Sequence, residues 1–172
     1  MKIIAVLLVF LAALPLLRAQ APPDSGAPQY APAPPRDIMP RTLNHKPNPQ
    51  APPPEIAAVI DKFFKTLKST TEDPNAYVTA YDGFLAGTRL GTQTEKKSIM
   101  ISQTQEAFGL HGHLRDYEIY DNYSIGTNVL VLTYLTRHDT QPLRWRFIFY
   151  RPDKTWGLIN MGFDDVLLDM LD

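Results

Sequence analysis

The sequence predicts an α+β domain at its C-terminal end, with N-terminal helices packed on a curled antiparallel four-stranded sheet. Three observations lead there. Large apolar residues recur at helical spacing between residues 55 and 112. After Gly112 the apolar period changes to two. The joins between the period-two stretches are short, so successive strands should pair as antiparallel hairpins.

The first helix is expected to start at Pro54-Glu55, since proline at a first helical position gives up no hydrogen bond. Ile56, Val59, Ile60, Phe63, Phe64 and Leu67 form its apolar face, and Asp61, Lys62, Lys65 and Lys68 fill the other. A second helix is expected from Asp73-Pro74, with Asp73 as the cap, placing Tyr77, Val78, Tyr81, Phe84 and Leu85 on one face. Thr92-Gln93-Thr94-Glu95 has the spacing of a capping box and opens a third helix to Phe108, stopped by Gly109 and Gly112. Four strands follow, within residues 113–123, then at 127–137, 143–150 and 155–163. A short helical tail at 164–171 closes the chain.

Two segments precede the domain in the 172-residue chain. Residues 1–19 have the form of a cleavable signal peptide: Lys2, an uncharged apolar run from Ile3 to Leu14, Pro15, and Ala19 at the cut. The run is much shorter than the ~20 residues that span a bilayer, so no membrane span is expected after cleavage. The destination implied is the periplasm or the medium. Residues 20–54 hold twelve of the sixteen prolines and few large apolar residues. Such a stretch buries too little to offset its ordering entropy, and is expected to be a disordered linker with extended polyproline character. The folded domain is therefore placed at 55–172.

Composition excludes several chemistries. With no cysteine, there is no disulfide, thiol nucleophile or thiolate metal site. Net charge is −1 with both signs interspersed, which gives no electrostatic footprint for nucleic acid. No phosphate-cradling glycine loop, nucleotide fingerprint or Ser/His/Asp set is present. His111-Gly112-His113 would put two imidazoles on one face of a strand, but no third ligand is in reach, so neither metal nor cofactor is expected.

Leu143-Arg-Trp-Arg-Phe-Ile-Phe-Tyr150, followed by Arg-Pro-Asp-Lys-Thr-Trp156-Gly-Leu-Ile, resembles the long paired strands of the NTF2-like, or cystatin-like, superfamily. The likeness covers residues 55–172 and is closest to small secreted bacterial members. It implies a cone between helices and concave sheet, where proton-shifting enzymes of that superfamily keep an Asp or His beside tyrosines. The weak candidates here are Asp82, next to Tyr81, and Asp116, next to Tyr117; the plainer reading of each is a solvated carboxylate. Fold alone does not choose between enzyme, carrier and assembly domain.

The two faces of the sheet say more. Leu132, Tyr134 and Thr136 share one face with Trp145, Phe147 and Phe149, an inner set. With Tyr81, residues Tyr134, Trp145 and Phe147 would line a site for a small apolar ligand. Val129, Val131, Ile148 and Tyr150 then fall outside. An open sheet normally solvates its outer face, so an apolar patch there marks an association surface, centred on Ile148 and Tyr150 and fitted to a homodimer. Strand four adds either Trp156 and Leu158 or Ile159 and Met161. Arg144 and Arg146 share the outer face; if Thr140-Gln141 form the loop, Arg137 lies across from Arg144 and the three would make an anion site, while the plainer reading pairs each arginine with a carboxylate or water. The expectation is a non-enzymatic interaction or apolar-ligand domain on a proline-rich tether, with a small lyase or isomerase as the alternative.

Overall fold

The structure is a computed structural model that describes residues 46–167. The expected signal segment, most of the proline-rich stretch and the end of the expected helical tail lie outside those residues. Three helices, α1 (Pro54–Lys68), α2 (Ala76–Leu85) and α3 (Thr94–His111), precede four strands, β1 (Asp116–Ile125), β2 (Val129–Arg137), β3 (Leu143–Tyr150) and β4 (Gly157–Asp164). The strands form one antiparallel sheet in the order β1-β2-β3-β4.

Helix α1 begins and ends where its sequence says. The Pro53 carbonyl accepts the N–H groups of Ile56 and Ala57, both at 2.9 Å. Its face of Ile56, Ile60, Phe63, Phe64 and Leu67 is buried. Phe63 and Phe64 reach Trp145 and Phe147 on β3, and Phe64 also reaches Tyr134 on β2. From α2, Tyr81 and Phe84 close on Phe63, and Phe84 touches Phe147. This aromatic layer joins helices to sheet. Edge-to-face pairs of this kind contribute about 0.5–1.5 kcal/mol each beyond the area they bury.

The other two helix starts differ from expectation because local bonds compete with capping. The Asp73 carboxylate accepts the Asn75 N–H at 2.9 Å, a turn of its own, and α2 starts only at Ala76. The Thr92 hydroxyl donates back to the Arg89 carbonyl, so no capping box forms, and Gln93 precedes α3 without a side-chain cap. Helix α3 also runs through Gly109 to His111. It stops at Gly112, whose φ of +84° suits glycine. A Cβ there would collide with the Asp139 side chain. The Asp139 carboxylate takes the His113 N–H and the Arg115 guanidinium, while the Thr140 N–H bonds the His111 carbonyl. The end of α3 is thus fastened to the turn between β2 and β3.

The inner face of the sheet is the expected one. Leu132 pairs with Phe147, Tyr134 with Trp145 and Leu130 with Phe149, and all six are buried. Two bulges interrupt the ladders, between Ile119 and Asp121 on β1 and opposite Ile148–Phe149 on β4. The second resolves strand four. Leu158 pairs with Phe149 and Met161 with Phe147, so both turn inward, and the bulge leaves Ile159 outside. Neither alternative grouping of these residues is therefore realised. The expected curl is not found either. β1 and β4 are not paired to each other, and the sheet is an open meander with two edges.

Two boundaries move. Contacts of the proline-rich stretch with the sheet start before Pro54. The Asn48 N–H donates to the Asp121 carboxylate at 2.9 Å, the Asn48 amide donates to the Asn122 carbonyl, and the Asn122 amide donates to the Gln50 carbonyl. Pro52 is buried. Asn48, set between two prolines, supplies the N–H donors that proline lacks. At the other end, Asp164 closes β4 instead of opening a helix, and residues 165–167 are not helical. Its carboxylate is held by the Arg144 guanidinium through two bonds of 2.9 Å.

Candidate functional site

The weak catalytic candidates are surface carboxylates with local partners. Asp82 pairs with Lys97, tying α2 to α3, and its side chain is half exposed. Asp116 bonds the Tyr117 N–H and lies 3.4 Å from Arg137. Neither sits among buried tyrosines.

A carboxylate–phenol cluster does exist, built on a residue that helical periodicity assigns to the polar face of α1. The Tyr117 hydroxyl donates to Asp61, which also binds Lys65 at 2.7 Å. Lys65 and Tyr117 hold the Asp61 carboxyl below its ordinary value. Burial and the same Asp61 push Tyr117 up, and burial with the Asp61 charge pushes Tyr134 up to about 12. The carboxylate is therefore ionised and a weak base, and both phenols keep their protons. A general base near neutrality needs the opposite tuning. What the cluster does is fasten α1 to β1. Sequence spacing could not reveal it, because the contact joins residues 56 apart in the chain.

The expected ligand set is core. Tyr81, Tyr134, Trp145 and Phe147 are all buried among one another's neighbours. The Tyr81 hydroxyl is satisfied by Thr104 at 2.7 Å. The Trp145 indole donates to the Thr136 hydroxyl at 3.0 Å. That hydroxyl lies 3.1 Å from His138 Nε2, and His138 Nδ1 lies 2.9 Å from the Gly112 carbonyl. A carbonyl only accepts, so Nδ1 carries the proton and the neutral ring accepts at Nε2 from Thr136. The result is a directed chain of bonds beneath the aromatic layer. Burial lowers the His138 pKa, which keeps this tautomer neutral.

The outer face divides into two zones. Toward one end, Ile125, Val129 and Tyr150 lie in one row, with Ile148 next along β3 and Ile159 on the neighbouring strand. Ile125, Tyr150 and Ile159 are 55%, 41% and 52% exposed; Val129 and Ile148 are half-buried, and Val131 is buried. The expected parity holds for all four named residues; of the expected centre, Tyr150 is exposed and Ile148 is half-buried, so the exposed apolar surface sits at the Tyr150 end of the strands. The other zone is ionic. Arg144 and Arg146 both approach Asp164, at 2.8 and 3.7 Å. Leu135, not Arg137, stands across from Arg144, and Arg137 faces Asp116. No three-arginine anion site is assembled: the register separates Arg137 from the pair, and Asp164 occupies both guanidinium groups.

A third surface was not read from the sequence. At the apolar end of the sheet, Pro52, Pro53, Pro54, Tyr123, Leu130, Arg151 and Trp156 line an open cleft of about 830 Å³. Arg151 stacks on Trp156, 4.6 Å from the ring centre.

Among the described residues, no group of three or more His, Asp or Glu side chains could hold a metal ion, and no helix is long and apolar enough to cross a membrane. These features define an α+β domain with an open four-stranded antiparallel meander. Comparison with protein families, characterised proteins and solved structures finds no match.

Proposed function

We propose that this chain is exported and that its domain works by association, not by chemistry. In this reading the signal segment is cut after Ala19. The proline-rich stretch tethers an NTF2-like scaffold, and the outer sheet face joins two copies. The observation that carries it is the row of Ile125, Val129 and Tyr150, with exposed Ile159 beside it, on a face an open sheet would normally present to water. Ile125, Val129, Ile159 and Tyr150 are all uncharged, so a second copy of the same patch is complementary to it under two-fold symmetry. A small apolar ligand between helices and sheet is less well supported, because it would have to displace Trp145 and Phe147 from their aromatic neighbours.

Sedimentation equilibrium of the full chain tests this. The expected result is a dimer that Ile159→Asp dissociates while its melting temperature stays put, since Ile159 is exposed in the single chain. A wild-type monomer up to about 100 μM would exclude association tighter than roughly −5.5 kcal/mol and overturn the reading.

A further inference from the structure

We infer that the cleft beside Trp156 is a binding site for a peptide carboxylate, with Arg151 as the group that receives it. Arginines elsewhere on the sheet and its turns have carboxylate partners: Arg115 has Asp139, Arg137 has Asp116, and Arg144 and Arg146 have Asp164. Among the described residues Arg151 has none. Its guanidinium is instead held in place by two neutral contacts. The face stacks on Trp156, and one Nη donates to the Thr127 carbonyl at 3.2 Å. Its backbone N–H bonds the Asn128 carbonyl at 2.8 Å, which fixes the root of the side chain.

A guanidinium has five N–H donors in a planar fork, and one bond to Thr127 leaves the others open. The stacking removes much of the side-chain freedom that binding would otherwise have to freeze. An oriented, unpaired fork at the edge of a cleft is suited to a two-pronged bond with a carboxylate. The Trp156 indole N–H also has no partner among the described residues and is a second donor on the same wall. The rest of the lining matches a peptide better than a bare ion. Pro52, Pro53 and Leu130 offer apolar contacts, and Gln50, Asn122 and Ser124 offer polar ones. Among the described residues Glu55 is the only acid in the lining. It opposes a second negative charge, and so favours a ligand with a single carboxylate over a polyanion. The carboxylate can come from a chain terminus or from an acidic side chain; the shared chemistry is the same.

The test uses the full chain and three probes: acetyl-Ala-Ala-Leu as the free acid, the same peptide as its amide, and acetyl-Ala-Glu-Leu amide. Fluorescence reports on the site because Trp145 is fully buried whereas Trp156 is partly exposed. The free acid is expected to bind, and the amide to bind at least about tenfold more weakly, which corresponds to about 1.4 kcal/mol. Stronger binding of the Glu-containing amide than of the plain amide would identify a side-chain carboxylate as an equivalent source. Arg151→Gln should abolish the difference between acid and amide, Arg151→Lys should keep part of it, and Glu55→Gln should tighten the acid a few-fold. A melting curve for each variant separates lost binding from lost fold. Equal binding of acid and amide by the wild-type chain overturns the proposal. So does an acid–amide difference that survives Arg151→Gln in a folded variant.

Discussion

Neighbouring side chains on β3 belong to different environments. Phe147 points inward, where Phe63, Phe64, Phe84, Tyr134 and Trp145 surround it with ring centres 5.4–6.3 Å away. Ile148 points outward and is half-buried beside Val131, with Asn160 across from it on β4. The same alternation separates Trp145 from Arg144 and Arg146. One face is a closed aromatic layer in which even the polar groups are satisfied internally. The other face is divided between an apolar end and an ionic end. Core packing explains the first face completely, while the second carries surface that folding alone does not require.

The largest expected effect tests that division directly. Phe147→Ala should cost about 3–5 kcal/mol, because it removes a fully buried ring from a layer that cannot collapse around the gap. Ile148→Ala should cost about 1 kcal/mol. Urea melts of the two variants measure both values. Similar losses at the two positions would mean that the outer face is as tightly packed as the inner one.

How legible this was depends on the range of the interactions involved. The inner set was readable because period two together with a short hairpin fixes which residues share a face, and Tyr134, Trp145 and Phe147 fall where alternation puts them. Helix α1 was readable from its apolar stripe and Pro54. Strand four was ambiguous in sequence because it is apolar on both parities, and only the bulge opposite Ile148 decides that Leu158 and Met161 both go in. Helix starts misled where side chains made nearer bonds, as at Asp73 and Thr92. The Asp61–Tyr117 bond and the seating of Asn48 on β1 join residues distant in sequence, and the Arg151–Trp156 stack, though local, depends on the geometry of the turn between β3 and β4. No spacing rule announces such contacts.

The edge of the sheet gives the next largest effect. If residues 20–54 were only a tether, a chain starting at Pro54 would melt with one starting at Lys46. The bonds from Asn48 and Gln50 to Asp121 and Asn122, and the burial of Pro52, predict otherwise. These partly exposed contacts should contribute about 1–2 kcal/mol together. The shorter chain should then melt at least ~5 °C lower. Coincident melts would return the stretch to the role of passive linker. A chain starting at Gln20 should match the Lys46 chain if the packing begins at Asn48.

The smallest effect concerns His138, beneath the aromatic layer. Burial depresses the His138 pKa from 6.5, and the neighbouring His111 pushes the same way, while the Gly112 carbonyl and Asp139 oppose. The other groups at this corner are Arg115, paired to Asp139, and Asp165, 4.0 Å from His111. The ring edge of Phe108 closes the remaining side, 4.6 Å between centres. Because the folded pKa lies below the unfolded one, the unfolded chain binds more protons in between, and acid favours unfolding. This contribution is complete above about pH 6.5, declines as pH falls below it, and levels off below the folded value. Asp61 and Asp139, both held below 3.8, add their own loss only in the carboxylate range further down. Protonation also reverses the local bonds: Nε2 would become a donor, and the Thr136 hydroxyl would turn to the Leu143 carbonyl, 3.3 Å away. That alternative partner keeps the effect small. Urea melts at about pH 7.5 and about pH 5 should show the wild-type chain losing stability across the window. His138→Gln should be less stable at the higher pH but flat between the two. A wild-type chain that is equally stable at both pH values, or a variant that falls in parallel with it, would place the titration elsewhere.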